Sequence, residues 1–404
     1  MLDSTGKSSG ELELAKEYRI AEEFGRLIQK YTDRRNRPEA LSLDSIDHVN
    51  KKKDLLNGLH SELLPLLINQ LNTLAQSLIP SGLRRETERN IRLVLKTQSE
   101  LEGTIDQIRS NIATLCSEVT YLGERVDDQH LRGLKDCRLY RLYDSFEQGV
   151  LSLLRSIFLE ADQLFQQIQM APDELKPDQF DSCCHREQLS NTVHRTLNII
   201  EQTIGMINES ELDHAQAGWC NQLRRFDKAM EEIMVLLDPT PNLPSGAQDY
   251  PRKLEDKLAI PLARLSIPIV KLSRLFFKKI SKHGMNQKRL SSYTDMSSDQ
   301  INDFARSIGQ VALDVQTLPR LLYKREEGYS DTTNEVFLRT TKNISSCLQS
   351  ALYLVLLHFL PLLPDSEGFP VQNYYNAWFV TWSTQLNLAI HTFNRTLESN
   401  YPFD

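Results

Sequence analysis

The fold of this chain is decided by stretches such as residues 51–78, KKKDLLNGLHSELLPLLINQLNTLAQSL. The leucines in this stretch recur at spacings of three and four residues, which places them along one face of a helix: Leu55, Leu59, Leu63, Leu66, Leu67, Leu71, Leu74 and Leu78. Pro65 falls near the middle, and the IPSG segment at 79–82 ends the pattern. The stretch therefore predicts a long amphipathic helix whose apolar stripe faces a core.

The same spacing repeats along most of the sequence. It predicts further helices over about 11–31, 84–118, 134–170, 186–208, 212–237, 252–283, 297–324, 333–363 and 371–399. The segment MSSDQ, residues 296–300, offers Ser297 or Ser298 as a helix N-cap. No segment sustains the two-residue alternation of a strand. We therefore predict an all-α fold of two up-and-down helical bundles built from long amphipathic helices.

Proline-rich segments indicate the domain organisation. The strongest candidate boundary is DPTPNLPSGAQDYP, residues 238–251, with four prolines and one glycine in fourteen residues. We predict a flexible tail with an N-terminal helix, an N-terminal bundle with an internal linker, a Pro-rich linker and a C-terminal bundle. The predicted ranges are 1–40, 41–238 with its linker at 171–185, 239–251 and 252–404.

Composition favours a soluble globular chain. The 404 residues are 40% hydrophobic and 25% charged. The longest apolar run, residues 351–364, contains His358 and Pro361 and is shorter than the ~20 residues that span a bilayer, so it predicts a buried core helix ending at its proline. No signal peptide precedes the first helix, and the six cysteines follow no regular framework. We expect a cytosolic or nuclear protein, with secretion into a host as the alternative if a signal peptide has been removed.

Catalytic and cofactor motifs are not found in the sequence. Gly6, Lys7 and Ser8 match only the end of a phosphate-binding loop, with no glycine five residues earlier and no preceding strand. The spacing of Cys183, Cys184, His185 and His194 does not fit a zinc site. We therefore predict no cofactor, no metal and no enzymatic activity, and an enzyme of unrecognised type stays the last alternative.

Neighbouring carboxylates could in principle supply acid–base chemistry. The sequence contains three such pairs: Asp127–Asp128, Glu231–Glu232 and Glu326–Glu327. Adjacent positions on a helix diverge by about 100°, so the two members of a pair do not converge on one substrate. We interpret all three pairs as solvated helix faces.

A basic stretch over 264–289 is the main candidate for a binding surface. It carries eight Lys and Arg residues and no acid, in a chain of net charge −7, which leaves −15 elsewhere. Its apolar stripe comprises Ile269, Leu272, Phe276 and Ile280, and its basic stripe comprises Lys271, Arg274, Lys278 and Lys282, with Phe277 on neither. These basic residues form either the solvent-exposed face of a core helix or a binding site for an acidic protein or an anionic surface.

Aromatic residues are concentrated near the C-terminus, where they could form either core or interface. They are Tyr374, Tyr375, Trp378, Phe379, Trp382 and Phe393. Buried packing is the simpler interpretation, and exposed Trp residues would instead anchor a partner. The predicted partner-binding residues are therefore Lys271, Arg274, Lys278, Lys282, Lys288, Arg289, Trp378 and Trp382.

Three blocks of the sequence resemble a large family of uncharacterised helical proteins expanded in rust fungi. They are IPIVKLSRLFFKKISKHGMNQKRLSSYTDMSSDQINDFARSIGQV at 267–311, LLPLLINQLNTLAQSL at 63–78 and TQSELEGTIDQI at 97–108. The resemblance spans most of residues 50–320. It implies a fungal pathogen protein without assigned chemistry, and it raises the alternative of an effector that acts on host proteins.

The C-terminal half is similar, less closely, to the cyclin-D-binding adaptor proteins. Ile260 and Pro261 precede the basic helix as in that family, and Ser298-Asp299-Gln300 opens the next helix. This similarity implies a two-bundle architecture. We expect a non-enzymatic adaptor that binds a protein partner through exposed helix faces, and its net negative charge argues against specific nucleic-acid binding.

Overall fold

The computed structural model describes residues 9–33, 48–79, 87–116, 127–169, 184–238, 254–287, 290, 293–328, 330–365 and 370–399, and all structural statements refer to these ranges. The described chain is helical and forms no strand, which confirms the predicted all-α fold. Most of the predicted linker at 171–185 and all of the one at 239–251 lie outside the described residues.

Eleven helices follow one another along the described chain, three of them with a π-helical turn inside. They are α1 (Ser9–Thr32), α2 (His48–Gly58, a π-helical turn Leu59–Leu63, then Leu64–Ser77), α3 (Thr87–Leu115), α4 (Asp136–Asp144, a π-helical turn Ser145–Val150, then Leu151–Gln169), α5 (Cys184–Ile207), α6 (Glu211–Gln216), α7 (Trp219–Leu237), α8 (Ala259–Ile280), α9 (Ser298–Glu326), α10 (Ser330–Leu354, a π-helical turn Val355–Phe359, then a 3₁₀ turn Leu360–Leu362) and α11 (Val371–Ser399).

The first compact unit comprises Met1–Glu124 and Gly133–Asn208. Its long helices pack in a ring in the order α1, α4, α5, α2 and α3, and α3 contacts α1 to close the ring. The leucine face of α2 is buried as predicted at Leu59, Leu63, Leu67, Leu71, Leu74 and Leu78. Leu66 is 44% exposed, because it lies about 100° from Leu67 and falls off the stripe.

The second compact unit comprises Arg125–Arg132 and Glu209–Asp404. Its five long helices also form a ring, in the order α7, α8, α11, α10 and α9, with α9 returning to α7 and also touching α8. Aromatic rings dominate its core, since Phe226, Phe276, Phe277, Phe304, Phe337, Phe359, Phe379 and Phe393 are all fully buried or nearly so.

The division between the two units corrects the predicted domain limits. It falls between Asn208 and Glu209 rather than in the Pro-rich linker at 239–251. The reason is the amphipathic face of α7, whose buried Phe226 and Ile233 belong to the core it shares with α8 and α9. Helix α1 is likewise part of the first unit, since Ile20, Phe24 and Leu27 are fully buried, and is not a separate N-terminal region.

Helix ends in the second unit follow local chemistry. Ser297 caps α9, as predicted: its hydroxyl accepts from the Gln300 backbone N–H, while the Gln300 side chain accepts from the Ser297 N–H. Gly328 follows α9 with a φ of +93°, a left-handed conformation that glycine adopts without strain. The chain can therefore turn back directly into α10.

Helix α10 carries the apolar run at 351–364. Its inner face is buried at Phe337, Ile344, Leu348, Val355 and Phe359, but Tyr353 is 63% and Leu357 68% exposed. The predicted core helix is therefore buried on its inner face and exposed to solvent on its outer face. The segment Thr332–Leu362 is long and apolar enough to cross a membrane by length and composition, and 39% of its most apolar window is buried.

Candidate interaction surface

Helix α8 buries apolar side chains on two faces, and not only along the predicted stripe. Ile269, Phe276 and Ile280 are fully buried, as the predicted stripe requires, and so is Phe277, which the prediction had left outside it. Phe277 is buried because α8 packs against three helices of the ring, α7, α9 and α11. Phe277 lies among the rings of Trp219 and Phe226, with centroids 5.3 and 6.1 Å away.

The C-terminal end of α8 is held in place by its own loop and by α6. The Gln216 amide donates to the Ile280 carbonyl at 2.7 Å, which satisfies one of the last acceptors of the helix. A β-carbon at Gly284 would lie 1.9 Å from the Lys279 carbonyl oxygen, so only glycine fits the returning loop. The basic residues in the last turn of α8 therefore sit on a fixed scaffold.

The basic residues of α8 divide into paired and solvated groups. Arg274 forms an ion pair with Asp227 of α7, in which Nη2 donates to Oδ2 at 3.1 Å and Nε lies 2.7 Å from Oδ1. Lys282, just past the helix, is 72% exposed with Nζ 3.8 Å from the Asp213 carboxylate. Lys271 and Lys278 are exposed, and within the described residues no carboxylate lies in ion-pair reach of either.

Arg264, which the prediction did not single out, extends this exposed group. It is exposed, and it precedes Lys271 by seven residues as Lys271 precedes Lys278. Seven residues are close to two helical turns, so the three cations share one side of α8 at intervals of about 10.5 Å. Leu275, 45% exposed, lies between the last two. We call Arg264, Lys271, Leu275 and Lys278 the basic row.

The remaining predicted site residues do not join the basic row. Lys288 and Arg289 lie outside the described residues. Trp382 is 3% exposed, and its indole N–H donates to the Leu272 carbonyl at 2.8 Å. Its ring stacks on Phe276 with centroids 4.6 Å apart, so the prediction of Trp382 as a partner anchor is wrong. Trp378 is half-buried and stacks on Trp382.

Lys279 has a different environment from the basic row. Its side chain turns toward α11, where its ammonium donates to the Tyr374 hydroxyl at 2.9 Å. The same nitrogen lies over the rings of Tyr374, Tyr375 and Trp378. Sequence spacing could not reveal this cluster, since Lys279 and Tyr374 are 95 residues apart.

A charged cluster in the first unit links α1 to α3. Glu102 accepts from Arg26 and Lys30, and Lys30 also meets Asp106 at 2.5 Å. The hydrogen bond from Arg26 lowers the pKa of the Glu102 carboxyl to about 2. Burial, together with the Asp106 carboxylate, raises the pKa of the Tyr31 phenol. Groups held so firmly in one protonation state tie helices together and are poor proton donors or acceptors at neutral pH.

A buried ion pair joins α3 to α4. Arg109 Nε donates to Glu147 Oε1 at 2.9 Å, and both side chains are largely buried. The arrangement satisfies two charges that would be costly to bury alone. It is a structural link of the same kind as the α1–α3 cluster.

The first unit also contains a cleft of about 310 Å³ between α2, α4 and α5. Its polar lining consists of Asn72, Gln76, Arg186, Ser190 and His194. No carboxylate is among its described lining residues, and His194 is exposed and bonded to Asn198. The cleft therefore does not bring an acid and a base together.

Two of the neighbouring carboxylate pairs contain a residue with a structural role that the sequence did not predict. Asp128 is 1% exposed, and its carboxylate accepts from the backbone N–H and hydroxyl of Ser298 at the N-terminus of α9. A negative charge at this end of a helix is favourable. Glu326 likewise accepts from the backbone N–H groups of Glu255 and Asp256. The interpretation as solvated faces is therefore wrong for Asp128 and Glu326.

Comparison with known families divides the chain at the same point as its fold. Residues 210–395 are similar to a domain of unknown function (DUF8721), and residues 52–208 to a second domain of unknown function (DUF8723). The border between the two matches coincides with the border between the compact units at 208–209. No curated protein and no solved structure matches the chain. The chain is thus an all-α protein of two units, each similar to a different domain of unknown function.

Proposed function

We propose that this protein is a non-enzymatic adaptor whose second unit binds an acidic segment of a partner protein along the basic row of α8. The proposal rests on one observation. Lys271 and Lys278 are exposed on one side of a helix that contains no acidic residue. A row of cations without neighbouring carboxylates attracts anionic groups and steers their approach.

The spacing of the basic row suits a helical acidic segment whose acids are seven residues apart. Carboxylates about 10.5 Å apart would meet Arg264, Lys271 and Lys278 in turn. Leu275 lies between the last two cations and offers an apolar contact for a residue placed between two acids. Exposed ion pairs contribute only about 0.2–1 kcal/mol each, so we expect weak, salt-sensitive binding to which the apolar contact adds.

A protein partner suits this surface better than a lipid surface. Membrane-bound amphipathic helices insert a broad apolar face between lipids. The apolar faces of α8 are instead occupied by the core of the second unit, including Phe276, Phe277 and Ile280. Leu275 alone offers little area for insertion. Nucleic acid is also disfavoured, because the sequence outside 264–289 carries a net charge of −15.

The proposal is tested with a fluorescent peptide that carries acids at seven-residue spacing with leucine between them. Fluorescence anisotropy at low and high ionic strength measures its affinity for the protein. The double variant Lys271→Glu, Lys278→Glu should weaken binding about tenfold or more at low salt and reduce its salt dependence. Circular dichroism should show unchanged helix content, because both side chains are solvated.

The matched control is Arg339→Glu, Lys342→Glu on α10, which makes the same change in net charge at two exposed positions of the same unit. This control should bind the peptide much as the natural protein does. Equal losses in both double variants would mean that only total charge matters, and the basic row would then have no role. Failure of the natural protein to bind the peptide, with binding to anionic vesicles instead, would favour the lipid alternative and reject a protein partner.

A further inference from the structure

Three aromatic rings of α11 surround one ammonium group of α8. The Lys279 Nζ lies 4.6 Å from the ring centroid of Tyr374, 5.0 Å from that of Tyr375 and 5.2 Å from that of Trp378. We call these three rings the aromatic cage. The π faces of Tyr375 and Trp378 attract the cation, and Tyr374 contributes its hydroxyl as an acceptor at 2.9 Å. Aromatic rings gathered around one cation are the arrangement that recognises quaternary ammonium groups.

The distances in the cage match a methylated ammonium. A methyl carbon lies about 1.5 Å from its nitrogen and packs about 3.5 Å from a ring, which places the nitrogen about 5 Å from each ring. The three distances to Lys279 Nζ, 4.6–5.2 Å, agree with this spacing. The bare ammonium of Lys279 instead uses one N–H for a hydrogen bond to the Tyr374 hydroxyl at 2.9 Å, a contact that a quaternary ammonium cannot make.

The walls of the cage are fixed by the packing behind them. Trp378 stacks on the buried Trp382 with an interplanar angle of 10° and meets the buried Phe379 edge to face, with centroids 5.2 Å apart. Tyr375 packs against Phe379 as well, with centroids 6.4 Å apart. Burial raises the pKa of the Tyr375 phenol, which favours its neutral form. Two of the three walls therefore rest on core rings and are ready to receive a ligand.

The cage opens at the surface beside Tyr374. This residue is 44% exposed, and Lys279 is only half-buried. Lysine has four rotatable side-chain bonds, so Nζ can leave the rings without movement of the helix. Lys279 would give up exposed cation–π contacts and one exposed hydrogen bond to the Tyr374 hydroxyl, and such exposed contacts are weak enough for exchange.

We propose that the aromatic cage binds a methylated or quaternary ammonium group, and that Lys279 occupies the cage as an intramolecular competitor until such a ligand displaces it. The ligand is a trimethylated lysine of another protein or a choline headgroup, which present the same cation. This site is separate from the basic row, and neither proposal depends on the other.

Titration with tetramethylammonium chloride tests the site. The methyl proton resonance of the ion should shift upfield inside the rings, and Trp378 fluorescence should change, since Trp219 and Trp382 are buried. The Lys279→Met variant removes the competing charge and should bind tetramethylammonium about fivefold more tightly. Lys342→Met, the matched control at an exposed lysine of α10 outside both proposed sites, should bind as the natural protein does.

Loss of a wall supplies the opposite test. Trp378→Ala or, if that variant unfolds, Tyr374→Leu should weaken binding of tetramethylammonium by the Lys279→Met protein about fivefold or more. A trimethyllysine peptide and phosphocholine are then compared, and tighter binding of one identifies the source of the cation. The proposal is overturned if Lys279→Met and Lys342→Met bind tetramethylammonium equally, or if loss of a wall leaves binding unchanged.

Discussion

Phe276 gives the sharpest test of the packing in the second unit. Its side chain is fully buried, stacks on Trp382 with centroids 4.6 Å apart, and meets Phe277 and Phe379 edge to face at 5.2 and 6.0 Å. Replacement of a buried Phe by Ala costs about 3–5 kcal/mol. Aromatic pairs add about 0.5–1.5 kcal/mol beyond their buried area. We therefore expect Phe276→Ala to cost about 4–5 kcal/mol, near the top of the range.

Such a loss is large against the usual stability of a domain, about 5–15 kcal/mol. In a unit of this size it should lower the melting temperature by about 8–20 °C. Intrinsic fluorescence can follow the second unit alone, because all three tryptophans, Trp219, Trp378 and Trp382, belong to it. Urea unfolding monitored in this way gives the change in free energy directly.

Leu275→Ala is the matched control, since the two residues are adjacent but Leu275 is 45% exposed. It should change the unfolding free energy by less than about 1 kcal/mol. Phe276→Leu keeps an apolar side chain in the space and should fall between the two. If Phe276→Ala destabilised the second unit no more than Leu275→Ala, the packing of α8 against α11 described above would be incorrect.

Two polar contacts give further predictions. Asp128→Ala should destabilise the second unit by about 2–3 kcal/mol in urea unfolding, because the Ser298 N–H and hydroxyl lose a buried charged acceptor. The control is Asp127→Ala at the exposed neighbouring residue. Equal effects of the two variants would contradict the capping role of Asp128. Glu102→Gln concerns acid stability. The pKa of Glu102 falls from the ordinary 4.5 to about 2 on folding, so its ionised form stabilises the first unit above about pH 4.5, and this contribution is lost as pH falls toward 2. Hydrogen exchange of α1 and α3 measured across this range should therefore depend less on pH in Glu102→Gln, and an unchanged profile would refute the prediction.

Parts of the candidate surface were predictable because helical spacing alone sets which residues share a side. Lys271 and Lys278 are exposed as that spacing requires, and Ile269, Phe276 and Ile280 are buried. The spacing could not show which cations a neighbouring helix neutralises. Arg274 lies 47 residues from its partner Asp227, and only the packing of α8 on α7 brings them together.

The same limit applies to the aromatic residues of α11. Trp382 and Trp378 are one turn apart on the same helix, and the sequence offered both as partner anchors. Their exposure differs because α8 covers Trp382, whose indole N–H donates to the Leu272 carbonyl, while Trp378 is only half-buried beside Lys279. Asp128 shows the limit for polar residues, since its role comes from Ser298, 170 residues away.

The sequence by itself determined the all-α class of this protein and the positions of most of its helices, and it limited the N-cap of α9 to Ser297 or Ser298, because these depend on spacings of three and four residues and on local hydrogen bonds. The tertiary structure decided where the chain divides and which surface remains for a ligand. Helix α7 precedes the Pro-rich linker yet belongs to the second unit, because its apolar face is buried against α8 and α9. Burial and charge pairing depend on residues far apart in sequence, and only the packed helices bring those residues into contact.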